Sequence, residues 1–151
     1  MTPKVSKFIA TFFGIGYLPV APGTLATAAG ALIAWFFRFN IAGFLLVMLL
    51  VTAIGFFAAH EAEKAFGRKD PGEIVIDEVS GIMISFFLIP MSWSVIVTGF
   101  FLFRAFDMFK VTPADKFEAM GGGAGIMLDD IMAGIYTNLT LQIALKLSGI
   151  I

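Results

Sequence analysis

The stretch IAGFLLVMLLVTAIGFFAA, residues 41–59, runs for 19 residues without a charge. A helix needs about 20 predominantly apolar residues to cross the hydrocarbon core of a bilayer, so this segment predicts a transmembrane helix. The rest of the 151-residue chain is of the same kind. Hydrophobic residues make up 59% and charged residues 14%, against about 45–50% and about 25% in soluble domains. A soluble chain this small must cover much of its surface with polar groups, and this one has too few. The expectation is an all-α integral membrane bundle, a single domain over residues 1–151.

Working outward from residues 41–59, Arg38 and Asn40 separate them from an earlier apolar helix expected over Thr24 to Phe37. That helix follows a Pro/Gly-rich stretch, Gly14 to Gly23. On the other side, His60 to Asp77 is charged, with a turn at Pro71-Gly72. Val79 to Ile89 and Ser92 to Phe103 are apolar again, divided by Pro90, and Gly121-Gly122-Gly123 precedes a last long helix from about Ile126 to Leu147. A single span over Val79 to Phe103 would give four crossings, with Asp77 and Asp107 on opposite sides. A hairpin turning at Pro90 gives five and puts them on one side. With five crossings and the N-terminus inside, Lys4, Lys7, Lys64, Arg68, Lys69, Arg104, Lys110 and Lys116 are all cytoplasmic. Only Arg38 and Lys146 fall outside, the bias that the positive-inside rule favours. The hairpin is therefore the expected arrangement, with about five hydrophobic helices. Its arms are short, about 14–17 residues or roughly 21–26 Å of helix.

The hairpin brings Asp77-Glu78, Asp107 and Asp129-Asp130 to one cytoplasmic face. Ionisable groups beside apolar helices are costly and are kept mostly where they serve a site; the plainer alternative is that they end each helix in water. Five carboxylates together repel one another unless cations intervene. Mg²⁺ suits them, because it takes hard oxygen ligands and keeps waters for a phosphate substrate. Arg104, Asp107 and Lys110 are spaced i, i+3, i+6 along one side of a helix. They form either a weak ion-pair ladder or a set in which Asp107 binds metal while Arg104 and Lys110 meet phosphate oxygens. The run G-I-G-Y-L-P-V-A-P-G-T, residues 14–24, stands before a helix whose free N–H groups can bind an anion, with Thr24 as N-cap. It lacks the ending of a P-loop, and a plain turn entering the membrane explains it equally well. Gly121 to Gly125 reads as a hinge or as a close-approach loop.

Several chemistries are excluded. The net charge of −1 argues for no nucleic-acid partner, and the absence of Cys removes disulfides, thiolate metal sites and cysteine nucleophiles. His60 is the sole histidine, expected as an interface residue at a helix end, so no mechanism with paired histidines is available. No D-x-D-x-T sequence exists for an aspartyl-phosphate route. Metal-assisted attack by water remains. The rival from another class is a small ion-coupled transporter or channel subunit, which predicts carboxylates at mid-helix depth rather than at helix ends.

At these same residues the chain resembles the phosphatidylglycerophosphatase A family. The matching pieces are residues 14–24, D-P-G-E-I-V-I-D-E-V-S-G (70–81), F-R-A-F-D-M-F-K (103–110) and G-A-G-I-M-L-D-D-I-M-A-G (123–134). The resemblance implies Mg²⁺-dependent removal of the phosphate monoester from phosphatidylglycerophosphate, giving phosphatidylglycerol, at the cytoplasmic side of a bacterial inner membrane. It puts the acidic positions on Asp77, Glu78, Asp107, Asp129 and Asp130, the basic ones on Arg104 and Lys110, and the turn on Pro22, Gly23 and Thr24. It leaves an oligomer open. The chain departs from the family pattern at Lys110-Val111-Thr112-Pro113, where K-P-x-P is usual, and at Glu118, which replaces an Asp. Those departures bear on the loop and its head-group contacts more than on the metal site.

Overall fold

A computed structural model of the chain describes residues 1–118 and 120–151. The side chains of Asp115 and Glu118 are not among those described, so the departure at Glu118 falls outside them. All regular elements among the described residues are helical: α1 (Pro3–Ala10), a short 3₁₀ turn (Ile15–Tyr17), α2 (Pro22–Phe36), α3 (Ile41–Phe66), α4 (Ile76–Phe86), α5 (Trp93–Phe109), α6 (Ala114–Glu118) and α7 (Gly122–Leu147).

The boundaries follow local chemistry and differ from the apolar runs in instructive ways. Asn40 caps α3 by accepting from the Gly43 N–H at 2.9 Å. The helix then continues past Ala59 through His60-Glu-Ala-Glu-Lys, because such straight-chain residues propagate a helix as well as apolar ones do. Gly67, at φ 71°, closes it. Ser92 caps α5 through the Val95 N–H at 3.3 Å. Thr24 is not the N-cap of α2, as the sequence suggested. Ala21 holds that position at φ 44° without a side-chain cap, because Pro22 starts the helix earlier with its preset φ. The last helix likewise begins at Gly122, four residues before Ile126.

At the centre lies α4. Nine of its 11 residues are buried, with α2, α3, α5 and α7 packed around it. The α4–α5 connection, residues 87–92, contains Pro90 and reverses the chain. Glu78 in the first turn of α4 meets Arg104 near the end of α5, and Phe86 at the other end of α4 abuts Gly99. The expected hairpin is therefore present, with arms of 11 and 17 residues. From α7, Asn138 donates to the carbonyls of Ile84, Ser85 and Phe87 at 3.2, 3.1 and 2.8 Å. It thereby satisfies acceptors that the end of α4 leaves open.

Among the described residues, α3 alone is long and apolar enough to cross a membrane. About five hydrophobic helices were expected, two of them the short arms of the hairpin. α7 has the length but carries Asp129, Asp130, Asn138, Gln142 and Lys146, while α2, α4 and α5 stop at 15, 11 and 17 residues.

Candidate functional site

The crossing of α4 on α7 brings Asp77, Glu78 and Asp130 together. Gly81 lies one turn after Asp77, and a Cβ there would stand 2.6 Å from the Asp130 carbonyl. Gly134 lies one turn after Asp130, and a Cβ there would overlap the Gly81 carbonyl. Each acid is thus followed at i+4 by a glycine that lets the other helix's backbone approach. The D-x-x-x-G spacing occurs at both places in the sequence and was legible there, although its role was not.

The result is a compact acidic group. Ligand oxygens of Asp77, Glu78 and Asp130 all lie within 4.8 Å of one another. Asp77 is 9% exposed and Asp130 3%. Asp77 Oδ1, Glu78 Oε2 and Asp130 Oδ2 are buried without a hydrogen-bond partner. Buried carboxylate oxygens in that condition are costly, and their convergence is the arrangement a divalent cation would satisfy. Hard oxygen donors gathered in this way could hold a metal ion.

The other predicted residues ring this group. Asp107 stands near Asp130 and accepts from Arg104 Nη1 at 2.8 Å. The same guanidinium nitrogen is 3.9 Å from Glu78 Oε1. Asp129 Oδ2 accepts from Lys110 Nζ at 2.8 Å, and its other oxygen accepts from the Asp130 N–H at 3.0 Å. Neighbours in a helix point about 100° apart, so Asp130 enters the acidic group while Asp129 turns to the lysine. Asp129 and Asp130 sit two turns into α7 rather than at its start. The spacing of Arg104, Asp107 and Lys110 suggested one ladder; Arg104–Asp107 is indeed an i,i+3 pair, but Lys110 ends α5 at φ 45° and reaches across to α7.

The turn at Pro22-Gly23-Thr24 also arrives here. A Cβ on Gly23 would overlap the Glu78 carboxylate and come within 3.7 Å of Arg104, so a side chain there would displace that carboxylate. The first helical bond of α2 runs from the Leu25 N–H to Ala21 at 3.1 Å. The N–H groups of Gly23 and Thr24 therefore precede the helix ladder, at the end where an anion is favoured. His60 is not at a helix end. It stands exposed within the last turns of α3 and accepts from the Gly123 N–H at 3.4 Å. Gly123 itself packs against the backbone of α3, which makes the glycine run a close-approach segment. A narrow cleft lined by Glu63, Lys69, Asp70 and Gly121 reaches Asp129 from the same side.

Residues 8–145 match the family described as phosphatidylglycerophosphatase A. A protein of Bacteroides thetaiotaomicron with the provisional name phosphatidylinositol-3-phosphatase is 36% identical over 150 residues, covering 90% of this chain and 91% of its own. The phosphatidylglycerophosphatase A of Escherichia coli is 37% identical over 131 residues, 84% of this chain and 76% of that protein. That of Haemophilus influenzae is 36% identical over 132 residues, 85% and 81% respectively. No solved structure matches.

Proposed function

The chain belongs to the phosphatidylglycerophosphatase A family and is a phosphatase of phospholipid synthesis, and we propose that it hydrolyses phosphatidylglycerophosphate to phosphatidylglycerol and phosphate with Mg²⁺. The observation that carries the metal and the site is the meeting of three carboxylates, each with a buried unpartnered oxygen, at the head of α4. A small transporter is not favoured, because nothing in that reading requires this group to sit beside a helix N-terminus and two cations.

In this reading Asp77, Glu78 and Asp130 hold the ion, with Asp107 and Asp129 on the rim. A bound Mg²⁺ supplies Lewis-acid polarisation of the phosphoryl oxygens and neutralises their charge. Arg104 and Lys110 lie beside the group on Asp107 and Asp129, close enough to exchange a carboxylate for an incoming phosphate. Arg presents a bidentate fork to phosphate oxygens and Lys a point charge. The Gly23 and Thr24 N–H groups offset charge on the equatorial oxygens as the lipid alkoxide leaves. A well-placed donor of this kind contributes about 2.7–4 kcal/mol to the transition state. One rim carboxylate orients the attacking water and takes its proton.

The enzyme is read as one multi-pass domain of a bacterial inner membrane, with this site at the cytoplasmic face. The outward side of α3 supports that reading. Only 22% of its most apolar 18-residue stretch is buried, and Leu46, Leu49 and Phe57 are 59, 55 and 70% exposed. A core helix of a soluble protein would be mostly covered.

Phosphate release by the purified protein, assayed with Mg²⁺ and after chelation, tests the proposal. Turnover of phosphatidylglycerophosphate that collapses with chelator and returns with Mg²⁺ is expected; turnover indifferent to chelator ends the metal mechanism. A parallel assay on phosphatidylinositol 3-phosphate addresses the head group in the Bacteroides relative's name, and faster turnover of that lipid would reassign the substrate.

A further inference from the structure

A second feature starts one helical turn from the acidic group and leads away from it. Helices α2 and α5 run antiparallel, since Gly23 lies by Arg104 at one end while the Trp35 and Trp93 rings stack at 4.7 Å at the other. Between them is an open groove of about 260 Å³. On α2 it is lined by Ala28, Ala31, Leu32 and Trp35, and on α5 by Trp93, Ile96, Val97 and Phe100. Both sets follow the i, i+3, i+4, i+7 spacing of a single helix face. The groove exists because Ala28 and Ala31 are small where the opposite wall is large.

Its upper end lies beside the site: Ala28 is one turn beyond Thr24, and Phe101, also in the lining, is one turn before Arg104. Its lower end is the tryptophan pair, with the Arg38 guanidinium 4.0 Å from the Trp35 ring centre. From Gly23 to Trp35 is about 18 Å at 1.5 Å per residue. The walls are not covered by the protein, since Leu32, Val97 and Phe101 are 63, 53 and 67% exposed.

We propose that this groove holds one acyl chain of the lipid whose phosphate meets Arg104 and the Gly23-Thr24 turn beside the acidic group. The proposal rests on the lipid-phosphatase reading above. A lipid monoester bound at the acidic group must lead its chains away along an apolar surface, and the α2–α5 groove is the apolar channel that begins there. The outward face of α3 is apolar too, but Leu46, Leu49 and Phe57 on it do not line this groove. Seated in the groove, the chain turns a surface encounter into a fixed orientation of the phosphate, and the Trp35–Trp93 stack sets how far it extends.

Two experiments on the full-length protein in lipid micelles test this. In the first, a phosphatidylglycerophosphate analogue with a photoreactive diazirine at the acyl terminus is crosslinked and the adducts are mapped by mass spectrometry. Adducts concentrated on Trp35, Trp93 and Val97 are expected; adducts spread equally over Leu46, Leu49 and Phe57 on α3 overturn the proposal. In the second, Leu32→Trp and Val97→Trp fill the groove from its exposed side. The ratio of kcat/KM for a long-chain lipid to that for a soluble phosphomonoester should fall about tenfold, the discrimination a single misfitted apolar contact supplies. An unchanged ratio, with both variants folded by circular dichroism, overturns it. Wild-type protein inactive on both substrates would instead remove the phosphatase reading, and the crosslinking map would still decide the groove.

Discussion

Helices α3 and α4 reverse the usual relation between apolarity and burial. α3 is the most apolar long element, yet many of its large side chains, Leu46, Leu49 and Phe57 among them, point outward. α4 is short, carries Asp77, Glu78, Ser80 and Ser85, and is almost wholly enclosed by other helices. In water the outward leucines of α3 would be a liability; in a bilayer they are solvated, and the protein interior is left to house polar chemistry. The Thr52–Ser80 hydroxyl pair, 2.7 Å apart, joins the two helices, and Asn138 serves the carbonyls at the end of α4. Among the described residues, the buried side-chain nitrogen and oxygen atoms without a hydrogen-bond partner are those of the three acids.

Substitutions on the two helices should therefore behave oppositely. The largest effect is expected for Asp77→Asn on α4, which removes a proposed cation ligand while keeping shape. Its kcat should fall by about 10²–10³-fold or more, the scale of losing one transition-state electrostatic contact. Near-normal turnover would take Asp77 out of the site. Next is Leu49→Arg on the outer face of α3. If that face meets lipid, a membrane-insertion assay should register about 2.5–3.5 kcal/mol against the variant; no change in insertion would mean the face meets water. Gly81→Val presses a side chain into the Asp130 carbonyl, so thermal unfolding in detergent should show a loss of about 1–3 kcal/mol, with activity falling as α4 and α7 separate. Asn138→Leu leaves the end of α4 without its donor and should lower stability by about 1 kcal/mol while kcat changes little. Leu49→Ala should stay within about 0.5 kcal/mol in the same unfolding measurement, and a core-sized loss there would mean that α3 packs inward.

The contrast also explains what could be read beforehand. The all-helical fold, the turn at Pro90 and the meeting of Asp77, Glu78 and Asp130 were legible, because apolar runs, a helix breaker and paired acids are local signals. Helix ends were less so. Apolar runs mark where lipid or core begins, whereas caps such as Asn40, Gly67 and Ala21-Pro22 mark where helices begin and end, and the two need not coincide. The split roles of Asp129 and Asp130 depend on helix rotation, which a pair of identical letters does not reveal. The packing of Gly81 and Gly134 on each other's helices depends on three-dimensional approach. The part played by Asn138 was not foreseen, because a single polar residue in an apolar helix carries no spacing to read.

The most direct test of a cation shared at the head of α4 is Mn²⁺ titration of the purified protein followed by electron paramagnetic resonance, with wild type beside Asp130→Asn. Wild type should bind Mn²⁺, Mg²⁺ should displace it, and the variant should bind much more weakly while keeping its helical content. Equal Mn²⁺ binding by the two proteins would contradict a cation held by Asp77, Glu78 and Asp130.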